Sequence, residues 1–139
     1  AEAGRSANLS VDPIIVQEAD MPVFTSHPPQ KRDFRVLLSP KLQPTAPLLV
    51  SIGTADVYPG QSTPCHTHDI EHEVWYVLSV MGLVVVGQSQ IEASAGTIVV
   101  APPGVPHQLV NMSPTEHFKA LVIFSPSGPE EMFLSKERP

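Results

Sequence analysis

Positive charge is missing from the middle of this chain. All eight Lys and Arg among the 139 residues lie at Arg5, Lys31, Arg32, Arg35, Lys41, Lys119, Lys136 and Arg138, so none falls between Leu42 and Phe118. The same stretch carries Asp56, Asp69, Glu71, Glu73, Glu92 and Glu116, and the formal net charge is −6. This balance argues against nucleic acid and anionic membrane as partners. A polyphosphate would find little to hold it there, so strong positive charge in a central site would have to come from a metal ion. An internal disulfide is excluded by the single cysteine, Cys65, which points to a reducing compartment, so a cytoplasmic protein is expected. Long apolar runs are lacking too: the stretch from Val74 to Gly87 is broken by Ser79 and Gly82 and is too short to cross a bilayer as a helix. The opening AEAGRSANLS has no apolar centre, so no secretory leader is expected, although Ala1 could be a native or a processed terminus.

Room for a long helix is scarce as well, because sixteen prolines and eight glycines are spread through the sequence. Between them lie DFRVLLS, PLLVSIGTADVY, EVWYVLSV, LVVVG, GTIVVA, HQLVN and FKALVIFS. These short runs of Val, Ile, Leu and aromatics at roughly ten-residue spacing predict an all-β sandwich or barrel with closed antiparallel pairing. Several runs are apolar on both faces, which suits strands with one face in a barrel and the other against a second sheet or subunit. The length is that of one domain. Residues 1–33 are expected to be an extension, with AEAGRSANLS mobile, PIIVQ an edge strand and SHPPQKRD a linker. The barrel is expected over 34–126. Residues 127–139 form a tail whose Pro129, two acids and late Lys136 and Arg138 predict a short capped helix.

The chemistry concentrates in HTHDIEHEVW, residues 66–75. On a strand, i and i+2 point to one face, so His66 and His68 present two imidazoles side by side. A further ligand should come from the next strand, where His72 and Glu73 are both available and face opposite ways. Either choice makes a mixed N and O site of the kind that accepts Fe, Mn, Co, Ni, Cu or Zn. If Glu73 points inward so does Trp75, which is then either ordinary core or an aromatic wall beside the metal. The remaining candidate, His107, follows the rigid turn of Pro102, Pro103 and Gly104.

These two segments resemble the motifs of the cupin superfamily. Gly60, His66, His68 and Glu73 stand at the spacing of its first motif, and Gly96, Pro102, Gly104, His107 and Asn111 match its second throughout. The resemblance spans residues 60–111 and departs at Val80, where the family places a glycine; the turn is therefore expected to move to Met81-Gly82, with Gly82 supplying the permissive backbone. The resemblance implies a jelly-roll barrel, a double-stranded β-helix, with one divalent metal held by His66, His68, Glu73 and His107. His72 is then expected to be a solvated strand-end residue. Cys65 is expected to be a small buried residue. Arg35, the early cation that could meet a substrate carboxylate, is expected at the surface, while His117 and Lys119 share a face of the last strand.

A metal held by neutral histidines and one carboxylate keeps open coordination positions. The resemblance implies a metal-dependent enzyme acting on a small, largely neutral organic substrate, with a dioxygenase-like oxidoreductase, as in the quercetin-dioxygenase-like members, the leading reading. A non-redox isomerase, lyase or polyketide-type cyclase is the alternative, and a binding module without turnover the third. Two-sided apolar strands further predict a homodimer, with the N-terminal strand crossing to the partner.

Overall fold

A computed structural model describes residues 12–46, 48–79 and 81–135 of the chain. Val80, the first eleven residues and Lys136 and Arg138 lie outside the described residues. Among the described residues nine strands are found: β1 Phe24–Thr25, β2 Arg32–Leu38, β3 Ser51–Val57, β4 His72–Val77, β5 Met81–Val86, β6 Ser89–Ser94, β7 Ile98–Ala101, β8 His107–Val110 and β9 Phe118–Ser125. Six build a sheet in the order β1-β2-β3-β9-β4-β7 and three a smaller one in the order β6-β5-β8. All pairings are antiparallel. This is the all-β jelly-roll expected from the sequence, and its order β3-β9-β4 brings β9 between two earlier strands.

Alternation explains how the sheets pack. Along β2 to Leu37 and along β9 to Phe124 buried side chains alternate with half-buried ones, the pattern of an apolar inner face and a partly apolar outer one. Val57, Trp75, Val77 and Phe118 of the large sheet share one core cluster with Val84, Ala93 and Leu109 of the small one.

Several expectations need correction. Residues 13–17, PIIVQ, form no strand, and Ile14 and Ile15 are exposed; the edge is instead the two-residue β1, anchored by Phe24 in the core. β6 was not among the expected strands, because SQIEAS is mostly polar and exposed. The tail makes a 3-10 turn over Pro129–Phe133 and no α-helix. Its Glu130 turns inward, 1% exposed, and accepts hydrogen bonds from Ser39 Oγ (2.6 Å), Ser51 Oγ (2.7 Å) and the Gly128 backbone N–H (2.7 Å). Gly82 makes no turn: it lies inside β5 with an ordinary backbone, and a Cβ there would stand 2.2 Å from the Phe118 ring. Its missing side chain is needed for close approach. Among the described residues no helix is long and apolar enough to cross a membrane.

Candidate metal centre

The HTH segment does not form a regular strand, contrary to expectation; it runs extended beside β8, pinned by isolated bridges at Ser62↔Val110 and His66↔His107. His66 and His107 exchange both backbone hydrogen bonds, N to O at 3.1 and 2.9 Å. The Thr63 N–H reaches Leu109 O at 2.9 Å, and Thr63 Oγ1 accepts from the Leu109 N–H at 2.9 Å. A short ladder therefore does for His66 and His68 what a strand would have done. Across the turn before β8, Gly104 adopts φ +80°, a left-handed conformation that disfavours side chains, and its N–H donates to His68 O at 2.7 Å. Two segments distant in sequence are thus clamped histidine to histidine. Asn111 locks the far end of β8, its Nδ2 donating to Val57 O (3.0 Å) and Glu116 O (2.7 Å).

Glu73 comes from β4, where burial alternates: His72 exposed, Glu73 buried, Val74 half-buried, Trp75 buried. The ambiguity left by the sequence is decided by the pairing of β4 between β9 and β7, which sets which face looks inward. His66, His68, Glu73 and His107 come together with one potential ligand atom from each, all within 4.8 Å of one another. Glu73 Oε1 lies 3.7 Å from His66 Nε2, 3.1 Å from His68 Nε2 and 2.9 Å from His107 Nε2.

The protonation pattern can be read from the outer contacts. His66 Nδ1 is 2.8 Å from Pro64 O and His107 Nδ1 is 3.1 Å from Val105 O. A carbonyl only accepts, so each Nδ1 carries a hydrogen and Nε2 is the ring atom turned toward the cluster. His107 Nε2 is the one buried side-chain nitrogen or oxygen among the described residues without a hydrogen-bond partner, since its approach to Glu73 is close but not aligned. Burial alone would raise the pKa of Glu73, but its contacts with His107, His66 and His68 outweigh that and hold the carboxyl well below the usual carboxylate range. For His66 burial works against the charged form, and the Glu73 carboxylate more than offsets it, raising the pKa. An anionic oxygen among three imidazole Nε2 atoms, one of them without a hydrogen-bond partner, is a donor set that could hold a transition metal.

The four residues line a cavity of about 260 Å³ that also contacts Arg32, Phe34, Thr63, Thr67, Trp75, Phe124, Met132 and Phe133. Trp75 is both core and wall: it is 1% exposed, and its ring meets that of His107 at 5.3 Å. Other candidates lie elsewhere. Cys65 is exposed, a correction to the buried residue expected, because the segment is free on its outer side. Arg35 occupies the outer face of β2, with Nη1 donating to Met21 O. His117 pairs with Asp56 at 2.7 Å and Lys119 with Glu18 at 2.9 Å, both away from the cavity. Arg32 is a cavity residue not expected from the sequence. It shares alternation with Phe34 and Val36 in β2, and that parity was the signal that could have placed it inside.

A family model described as a cupin domain matches residues 53–124, just over half of the chain. An uncharacterized protein of Methanocaldococcus jannaschii is 31% identical over 62 residues, 45% of this chain, and the chain spans about half the length of that curated relative. Among solved structures, a predicted oxalate decarboxylase from Thermotoga maritima aligns with TM-score 0.71 and 17% identity over 82% of this chain and 100% of its own. The polyketide cyclase RemF from Streptomyces resistomycificus aligns with TM-score 0.67 and 25% identity over 82% of this chain and 80% of its own. A cupin 2 conserved barrel domain protein from Salinispora arenicola gives 0.64 and 21% over 92% and 99%. With two antiparallel sheets around a His/Glu cluster, and a family match across the strands that carry it, the chain belongs to the cupin superfamily.

Proposed function

We propose that the protein is a metal-dependent cupin enzyme, a dioxygenase-like oxidoreductase that holds one divalent transition metal through His66, His68, Glu73 and His107 and acts on a small, flat organic molecule. One observation carries this reading. Apart from the four donors, the described side chains lining the cavity include no group that exchanges a proton near neutral pH; the polar ones are Arg32, Thr63 and Thr67. A reaction run by a free acid or base has no residue to run it, so the chemistry falls to the ion and its donors. When bound, an Fe, Mn, Ni or Cu ion supplies Lewis acidity and one-electron redox chemistry.

The chain's own part is positioning. Carbonyl contacts hold two imidazoles in the metal-facing tautomer, and Glu73, kept anionic, lowers the charge of the centre. Trp75, Phe34, Phe124 and Phe133 form flat apolar walls that exclude water and favour a planar substrate. The volume lies just under the range of about 300–1,000 Å³ usual for drug-sized ligands, so the substrate is small. Oxygen uptake by Fe- or Mn-loaded protein, followed against a panel of enolic and aromatic compounds, tests the proposal: consumption should match substrate loss. Turnover that continues at full rate in oxygen-free buffer would overturn it.

A second reading is a proton-moving isomerase, lyase or polyketide-type cyclase in which Glu73 itself accepts the proton. Its support is the likeness to RemF and the crowding of all acid–base capacity around Glu73. We also propose a homodimer through the outer face of β4 and β7, where Tyr76, Ile98 and Val100 are exposed and Tyr76 and Ile98 are register partners. The single exposed Cys65 suits the reducing cytoplasm expected from the sequence.

A further inference from the structure

Arg32 is 5% exposed, among the most buried charged side chains described, yet the metal cluster's cavity is one of the spaces it lines. A guanidinium has five N–H donors. Only one side-chain hydrogen bond is found for it, Nη1 to Ser26 Oγ at 3.3 Å, and no carboxylate of a described residue lies within ion-pair distance. Its other neighbours are aromatic faces, Phe24 at 5.8 Å and Phe133 at 5.5 Å from the guanidinium carbon, which attract the cation without accepting its hydrogens in line. Burial pushes its pKa down and the Glu73 charge works the other way, so the two groups feel each other across the cavity. Even so lowered, an arginine stays charged. A buried cation with open donors is costly unless something pairs with it.

Arg32 also borders two spaces. Together with Pro64 and Met132 it lines both the metal cavity and an adjoining groove on the surface formed by Phe24, Ser26 and the His27–Gln30 turn. Among the described residues Glu73 is the single acid lining the cavity, and its charge is balanced by Arg32; a divalent ion would leave a surplus of positive charge.

We propose that Arg32 is the substrate-anchoring residue of this site, and that the substrate is a small carboxylate with a flat apolar body, its carboxylate on the guanidinium fork and its other end toward the His/Glu cluster. This rests on the proposed small-molecule site and amends the largely neutral substrate expected from the sequence. The early cation that meets the carboxylate is Arg32, on the inner face of β2, while Arg35 faces out. A planar fork suits a planar carboxylate, which it can bind by two parallel hydrogen bonds.

The test is equilibrium binding, independent of turnover. Benzoate and its uncharged isostere benzamide are titrated calorimetrically into the full chain, both Mn-loaded and metal-stripped. Benzoate should bind at least tenfold more tightly in both forms. Arg32→Gln should erase the preference while melting temperature and metal content stay near those of the parent, and Ser26→Ala should keep it. Should Arg32→Gln not fold, Arg32→Lys, which retains charge without the fork, should still weaken benzoate severalfold; unchanged affinity there would overturn the assignment. Equal binding of the two probes would also overturn it, as would a preference that appears only with metal and survives Arg32→Gln. Loss of oxygen dependence in turnover would sink the dioxygenase reading and leave this binding preference intact, so the two failures are separable.

Discussion

His107 brings a buried, unpartnered Nε2 into the cluster, and a polar atom left in that state costs about 1–3 kcal/mol. A bound ion would remove that cost. His107→Ala should therefore abolish stoichiometric metal, lowering affinity by more than the roughly 10–100-fold typical of lost outer contacts, while His72→Ala, on an exposed side chain, should leave it unchanged. Elemental analysis after dialysis against limiting Mn or Fe reads both, and retained metal in His107→Ala would count against the site. Glu130 offers a prediction about stability. Burial works to raise its pKa, but hydrogen bonds from Ser39, Ser51 and the Gly128 N–H outweigh this and hold it below its ordinary value of 4.5. A carboxyl depressed in the folded state contributes stability that is fully present above the unfolded pKa and is lost as pH falls through the folded one. Melting temperature should thus drop as pH is lowered below about 4.5, and Glu130→Gln, which cannot accept all three bonds, should cost about 1–3 kcal/mol near neutrality and flatten that acid dependence. An identical acid slope in parent and variant would show that Glu130 is not responsible.

Strands and turns raise a different question, how close two elements must come. Gly82 in β5 faces the Phe118 ring of β9 so closely that a Cβ would overlap it, at 2.2–2.4 Å from three ring carbons. Both residues are buried. Gly82→Ala should destabilise by about 1–3 kcal/mol, as overpacked cores do, measured by chemical denaturation; a neutral result would mean the two sheets can part at little cost. The expectation of a turn at Gly82 erred because glycine has two uses, positive φ and close approach, and only the facing element tells them apart. The polar β6 escaped notice for a related reason. An edge strand with one exposed face need not be apolar, so alternation was too weak to mark it. The inward turn of Glu130 was equally hidden, since its two serine partners lie far back along the chain on either side of the loop before β3.

At the scale of the molecule, the exposed outer face of the large sheet is the feature without an internal explanation. Tyr76 is 42% and Ile98 61% exposed on adjacent strands, and contiguous apolar surface of this kind marks an association site. Light scattering should give twice the 15.0 kDa of one chain, and Ile98→Lys should shift the population toward monomer without lowering metal content. A monomer at micromolar concentration for the parent would refute the dimer. The all-β architecture and most strands were legible in the sequence because proline and glycine cut it into short β-branched runs, and because two spaced motifs resembled the cupin pattern. The edge at Phe24, the fate of PIIVQ and the 3-10 tail were not, since each depends on which neighbours a short segment finds to pair with.

By itself the sequence determined the chemistry on offer: His66, His68 and His107 as nitrogen donors, carboxylates close by, and a central stretch without cations. Spacing along a chain carries that information because alternation and turn residues act locally. Motif spacing implied Glu73 over His72; the tertiary structure brings Glu73 beside the histidines and leaves His72 exposed, and it alone decided that Arg32 and not Arg35 lines their cavity. Each choice is between residues on opposite faces of a strand, and which face looks inward is settled only when the sheet closes around its core.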